Sequence, residues 1–283
     1  MSNIQTAPTH DWNGDSGNRW AANLARLDVM LEEFGSAAIR AANAQPGERI
    51  LDIGCGSGTS TLALSEQVGP DGYILGVDIS EQLVEVASAL VPATSPVEFR
   101  CADAATSPLP SHAFDLLFSR FGVMFFDDPV AAFAHMRGAL KPGGRLAFVC
   151  WRGAQDNDWV RLPMAAIRDI VHPAPADPNA PGPFAFGDRQ RLAGILAAAG
   201  FTAIDITPFD TTISYGSGAT RDAAIDDAVD MAFQVGPLSR ALADQPDEVR
   251  AAAARAVRSA FAKRPGETSV LIDGAAWIVT ARN

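Results

Sequence analysis

Between residues 45 and 151 the chain alternates five short apolar runs with segments of helical character, and this alternation constrains the fold more than any other feature. The runs are Arg49–Ile53, Tyr73–Val77, Val97–Cys101, Phe114–Ser119 and Arg145–Trp151. Short apolar runs bounded by turn residues read as buried strands. Thr59–Val68, Glu81–Leu90 and Asp128–Leu140 read as helices. Ser80 is placed to N-cap the second of these. Pro129 stands in the first turn of the third, where its missing N–H costs nothing. Lys141-Pro142-Gly143-Gly144 turns the chain into the fifth strand. Strands alternating with helices make βαβ units, a parallel sheet and right-handed crossovers. Ligands of such sheets bind beyond the carboxyl ends of the strands, where strand order reverses. The chemistry is therefore expected in the loops that follow the strands.

The flanking segments complete the outline. Residues 1–18 are polar and form an arm. Leu24, Leu27, Leu31, Phe34 and Ala38 then repeat at spacings of three and four, one helical stripe over residues 19–44. Residues 158–171 read as a short helix, and 172–187, with five prolines, as an irregular loop. Asp188–Ala199 is a helix ended by Gly200. Phe201–Ser214 and Val270–Ala281 are two further strands around an Ala- and Asp-rich helical segment, 219–263, broken at Gly236-Pro237 and Pro246. Those two strands are expected to pair antiparallel at the sheet edge. The expected fold class is α/β, a Rossmann-like doubly wound seven-stranded sheet, mostly parallel with the last strand antiparallel, carrying helical lid insertions. Residues 1–44 form the arm and a helical lid, 45–151 the ligand-binding core, and 152–283 the rest of the sheet with lids at about 152–187 and 215–265, all in a single domain.

The chain has 283 residues, 48% of them hydrophobic, enough for a full core. A formal net charge of −11 disfavours a phosphate-backbone partner, and the Lys and Arg residues form no basic run. Cys55, Cys101 and Cys150 are odd in number, widely spaced and without a CxxC, so we expect buried thiols of a cytoplasmic protein. The N-terminus has neither the basic nor the apolar region of a signal peptide. No apolar stretch reaches the length of a membrane span.

Residues 50–61 read ILDIGCGSGTST. The glycines are Gly54, Gly56 and Gly58, with Thr59 where a dinucleotide fingerprint has its third glycine. No lysine follows, so a phosphate loop does not fit either. The turn suits close backbone approach to a ligand without phosphate. The second strand ends in GVDIS, and Asp78 there is placed to accept from both ribose hydroxyls. A helix-capping role for Asp78 is the alternative, although Ser80 is better placed for it. The third strand ends in CADA. The Asp103 carboxylate can accept from an exocyclic amine and the Ala104 N–H can donate to a ring nitrogen; the alternative for Asp103 is a plain turn residue. Asp52 adds a carboxylate beside the glycine turn.

In order, ILDIGCGSGTST, GVDIS, CADA, FDLLFSRFG and LKPGGRLAF resemble the motifs of class I S-adenosylmethionine-dependent methyltransferases over residues 45–151. The resemblance is to the small-molecule, type 11/25-like group that includes the ubiquinone and menaquinone C-methyltransferases. It implies S-adenosylmethionine as donor and S-adenosylhomocysteine as product. It places Gly54, Cys55 and Gly56 along the methionine part, with Asp52 beneath, ordering the loop or reaching the amino group through water. It places Asp78 on the ribose, Ile79 against the adenine face, Asp103 and Ala104 on the adenine edge, and the Ser119 backbone beside the methyl. Arg19 or Arg120 could pair with the donor carboxylate, or either could form a surface salt bridge.

The fourth strand ends in SRFGVMFF. The Asn/Asp-Pro-Pro-aromatic motif of amino-methylating nucleic-acid enzymes is absent, and no Pro-Cys nucleophile is present. Asp127 and Asp128, just before Pro129, read as helix N-terminal carboxylates and not as metal ligands. No metal and no nucleic acid are expected. Phe121, Met124 and Phe125 are candidate acceptor contacts, with Trp20 and Trp12 as lid aromatics and Phe184, Phe186, Met231 and Phe233 in the lid segments. The expected reaction is direct in-line methyl transfer to O, N or C of a small, largely apolar or aromatic metabolite. Of the histidines, His10 and His172 could reach the site as a base, His135 faces solvent, and His112 lies at the wrong end of the sheet; no base is assigned. A donor-binding regulator or interaction protein without turnover is the alternative, and another reaction of the same donor, such as aminopropyl transfer, a further one. The protein is expected as a monomer or homodimer.

Overall fold

In a computed structural model, which describes residues 11–92, 95–173, 177 and 179–283, one sheet carries the chain. His10, the start of the polar arm and part of the proline-rich loop lie outside the described residues. The strands are β1 Arg49–Ile53, β2 Tyr73–Asp78, β3 Val97–Cys101, β4 Phe114–Arg120, β5 Leu140–Trp151, β6 Thr202–Ser217 and β7 Ser269–Arg282. Their order across the sheet is β3-β2-β1-β4-β5-β7-β6. β1 pairs in parallel with β2 on one side and β4 on the other, so the strand order reverses at the carboxyl ends of β1 and β4. β7 lies antiparallel between β5 and β6.

The sheet is mixed because of what its last strands enclose. α8 Arg221–Gln234, α9 Pro237–Ala241 and α10 Asp247–Ala262 all leave from β6 and return to β7. Strands joined this way run antiparallel without a crossover. The breaks between these helices fall at Gly236-Pro237 and Pro246, as their backbone restrictions require.

α1 Asp15–Ala22 and α2 Leu24–Ala42 precede the sheet. Between them Asn23 is buried, donating to the Arg19 carbonyl and to Gln234 Oε1. The stripe on α2 is buried as its spacing predicts: Leu27, Leu31, Phe34 and Ala38 all face the core. With Leu51, Leu117, Phe118 and Phe148 they form its centre. Burying each large side chain stabilises by about 1.5–3 kcal/mol. α3 Thr59–Val68, α4 Glu81–Ala89, α5 Pro129–Arg137, α6 Asp158–Ile167 and α7 Arg189–Ala198 are the remaining helices. Among the described residues no helix is long and apolar enough to cross a membrane.

Three expectations change. The turn at Lys141–Gly144 is a bulge inside β5, where the register to β4 shifts between Phe114 and Leu116. The hydroxyl of Ser80 does not cap α4; it is buried without a partner. Cys101 is exposed, because β3 is an edge strand, while Cys55 and Cys150 are buried.

Candidate functional site

A cavity of about 470 Å³ opens where β1 and β4 diverge. That volume is in the usual range for a small-ligand site. The loops after β1, β2, β3 and β4 all reach it, joined by residues of α1, α2, α8 and α9.

The glycine turn is held from two sides. The N–H groups of Gly54 and Cys55 donate to the Val77 carbonyl at 2.8 and 3.1 Å. Gly56 N–H donates to Asp78 Oδ2 at 2.8 Å, and Ser80 N–H to Asp78 Oδ1 at 2.9 Å. Asp78 thus ties the first loop to the second while it lines the cavity. Burial raises its pKa, against the opposing effect of backbone donors from Ser80, Gly56 and Ile79. Gly54, at φ +65°, lies so close to the β4 loop that a Cβ would stand 2.7 Å from Gly122 Cα. Gly56, at φ +53°, has no atom of another described residue within 4 Å of its Cβ position. Thr59 tolerates the place of the third glycine because its hydroxyl points outward, donating to Asp28 at 3.1 Å.

Asp52 does not line the cavity. It is fully buried under the turn, where Oδ2 accepts from Ser60 Oγ at 2.8 Å and Thr61 Oγ1 at 2.7 Å. Its Oδ1 has no partner among the described residues, and burial pushes its pKa up to about 6. Burial also pushes the Cys55 thiol up, so Cys55 is an apolar wall and no nucleophile.

Past β3, Asp103 makes a turn: Oδ1 accepts from Ala105 N–H at 2.9 Å and Oδ2 from Thr106 Oγ1 at 2.8 Å. It lines the cavity together with Ala102 and Ala104. Ile79 is 45% exposed, unusual for a large aliphatic side chain, and lies on the same wall.

At the end of β4, Ser119 is fully buried behind the lining and not on it. Its hydroxyl donates to the Ile53 carbonyl at 2.7 Å and accepts from Gly122 N–H at 3.1 Å. Ser119 therefore shapes the wall through two residues that do line it. Phe121 follows at φ +62°, a conformation that costs a non-glycine residue about 1–2 kcal/mol. The turn stacks its ring on Trp151 at 4.3 Å. Met124 and Phe125 line the same side.

Asp11 and Trp12 of the arm border the cavity, with Ser16 and Trp20 of α1. Trp12 packs edge-on against Trp20 at 5.7 Å and Phe125 at 5.0 Å. Between them in sequence, Asn13 Oδ1 accepts from Glu81 N–H at 3.1 Å and Nδ2 donates to the Ile79 carbonyl at 3.0 Å. The arm thus supplies the cap of α4 that Ser80 does not. Arg120 pairs with Asp28 at 2.7 Å, and Arg19 donates to Ser239 Oγ at 2.6 Å, so both are engaged within the protein while lining the cavity.

The lid residues divide. Met231 lines the cavity; Phe184 stacks behind Trp159 at 5.6 Å; Phe186 belongs to the core; Phe233 is not part of the lining. No described histidine lines it. His112 Nδ1 lies 3.0 Å from the Leu140 carbonyl, and His135 is exposed beside the Ser107 carbonyl. No group of His, Cys, Asp or Glu among the described residues could hold a metal ion. Sequence reasoning missed Trp151, Trp159, Tyr215 and Arg240, which line the cavity from elements far apart in the chain. Only Trp151 had a signal, its place at the end of a strand.

The strand order, the glycine turn after β1 and the acidic residues after β2 and β3 define the fold of class I S-adenosylmethionine-dependent methyltransferases. Residues 51–148 match the family described as a methyltransferase domain, so this segment of the chain is a methyltransferase domain by sequence. Over 104 residues the chain is 38% identical to the aklanonic acid methyltransferase DauC of a Streptomyces, a match covering 36% of this chain and 47% of that one. Over 178 residues it is 29% identical to the demethylmenaquinone methyltransferase of Staphylococcus epidermidis, covering 59% and 73% of the two chains. The match thus spans less than half the length of the streptomycete relative. The crystal structure of the Bacillus protein YcgJ shares the fold with a TM-score of 0.58 at 20% identity, over 89% of this chain and 98% of that one.

Proposed function

We propose that the protein transfers a methyl group from S-adenosylmethionine to O, N or C of a small, largely apolar or aromatic acceptor. One observation carries this reading: a single cavity joins the Gly54–Gly56 turn, Asp78 and Asp103 at one side to a wall of Phe121, Met124, Phe125 and Trp20. The donor supplies an electrophilic methyl group on a sulfonium. The open space at Gly56 is a cradle that any Cβ would fill, which suits a ligand lying against the backbone. Gly54, Cys55 and Gly56 hold the amino-acid part, with Asp52 fixing the first turn of α3 beneath them. Asp78 keeps unused lone pairs for the ribose hydroxyls, Ile79 covers the adenine face, and Asp103 with Ala104 reads its edge. Ser119 positions the β4 loop.

The arm and ring wall orient the acceptor and exclude water, and proximity supplies most of the acceleration. An amine acceptor needs only to arrive neutral. A phenol or carbon acid gains a further 10²–10⁴-fold, roughly, from a base. That no described histidine lines the cavity favours a second reading, a donor-binding regulator without turnover. Calorimetric titration with S-adenosylhomocysteine, followed by a screen of phenols, amines and quinols for its formation from S-adenosylmethionine, decides. Binding with turnover supports the transferase; binding without turnover of any acceptor supports the regulator; no binding removes both.

A further inference from the structure

Three arginines line the cavity, and one of them has no anionic partner among the described residues. Arg120 faces Asp28, and Arg19 faces Ser239 and, at 3.6 Å, Asp15. The Arg240 side chain forms no ion pair and no hydrogen bond with any described residue, its backbone carbonyl accepting from Ala243 N–H, although acidic residues outnumber basic ones in this chain. Its side chain stays accessible, yet the surrounding protein removes enough water to lower its pKa, with no carboxylate acting to raise it. An exposed, unpaired guanidinium on a cavity wall is free to meet an anionic ligand there.

The place of Arg240 says whose anion that is. It sits on α9, which enters at Gly236 against the ring of Trp159 and carries Ser239, the partner of Arg19. The same stretch of chain gives the cavity Met231, Val235, Gly236 and Ser239, with Trp159 against Gly236, while Asp78 and Asp103 belong to the strand loops. The planar guanidinium presents paired donors that match a carboxylate in two parallel bonds. Resting on the methyl-transfer reading, we propose that the acceptor is an aromatic acid whose acidic oxygens are held by Arg240 while its ring lies along Phe121, Trp151 and Met231. Arg240 is then a specificity residue and not a base.

The same chemistry would also serve the donor's own carboxylate, so the test separates the two. Hydroxynaphthoate and its neutral counterpart hydroxynaphthamide are compared with wild type, Arg240→Gln and Arg240→Lys. Binding is measured calorimetrically to the protein loaded with S-adenosylhomocysteine, and turnover with S-adenosylmethionine; circular dichroism melts confirm folding. The expected result is that the acid binds wild type at least tenfold tighter than the amide. R240Q then weakens the acid by about 10- to 100-fold, the loss of a charge-assisted contact, and leaves the amide unchanged. R240K recovers part of the loss, and affinity for S-adenosylhomocysteine stays within twofold throughout. Equal binding of acid and amide to wild type overturns the proposal. So does a loss of S-adenosylhomocysteine affinity in R240Q, which assigns Arg240 to the donor. Arg240-dependent binding of the acid without its methylation upholds the anion site and counts against the transfer reading alone.

Discussion

Gly54 and Gly56 look equivalent in sequence, and the structure gives them different work. Both lie in the left-handed region, at φ +65° and +53°, so alanine at either carries a backbone cost of about 1–2 kcal/mol. At Gly54 the new methyl would also stand 2.7 Å from Gly122 Cα and 3.4 Å from its carbonyl carbon. Carbon atoms rest near 3.5–4.0 Å, roughly 1 Å further out. Both partners are backbone, so β1 and β4 must separate, and overpacking of this kind costs a further 1–3 kcal/mol, roughly. G54A is thus expected to lose about 2–5 kcal/mol and G56A about 1–2. For a chain of this size each kcal/mol lowers Tm by roughly 2–4 °C. Ligand binding reverses the ranking of interest: the G56A methyl meets no atom of another described residue and occupies the cradle itself. G56A should melt only about 2–8 °C below wild type and lose S-adenosylhomocysteine affinity by two orders of magnitude or more. Melts and calorimetric titrations of the two variants provide the check. A G56A protein that binds S-adenosylhomocysteine as wild type does would refute the cradle, and a G54A protein as stable as G56A would refute the close approach of β1 to β4.

Two further outcomes follow from neighbouring groups. The folded pKa of Asp52 is about 6, raised from 3.8, so between these values the folded chain holds more protons than the unfolded one and stability falls as pH rises. The loss is about 3 kcal/mol by pH 7, and Asp52→Asn should remove it; urea unfolding of both proteins at pH 4 and pH 7 should show the gap between them shift by most of that amount, about 2–2.5 kcal/mol, and an identical pH dependence would discard the assignment. Asn13→Ala removes the cap on Glu81 N–H and the tie to Ile79, worth about 1 kcal/mol; donor affinity should drop about fivefold and limited proteolysis should begin to cut before Trp20, whereas unchanged affinity and cleavage would detach the arm from the donor loops.

Local pattern predicted the strands of the core because each is covered on both faces, so near-continuous apolar runs such as Ile50–Ile53 had one reading. The loop motifs were legible for a related reason: Gly54, Asp78 and Asp103 each sit at a strand end whose position the topology fixes. What failed was set by distant partners. Ser80 is a good capping residue in the right place, but Asn13, far away in the chain, reaches Glu81 first. Cys101 ends an apolar run yet is exposed, because edge position in a sheet is not written in the strand itself. Arg240 and Trp159 reach one cavity only through the packing of α6, α8 and α9, and no spacing in the sequence announces that.

The helices that supply Met231 and Arg240 leave the sheet after Ser217 and rejoin it at Ser269, and these two residues are partners in the β6–β7 ladder. Their excursion therefore begins and ends at one point of a hairpin, with its ends already held together by the strands. Such a segment behaves as a cassette: it can lengthen, shorten or be exchanged with no change in the register of β1, β2 and β4, where the donor loops are anchored. On the proposed reading, the part of the cavity wall that meets the acceptor can then change while the glycine turn and its neighbours stay fixed, and this segment is the natural unit to graft when testing acceptor choice.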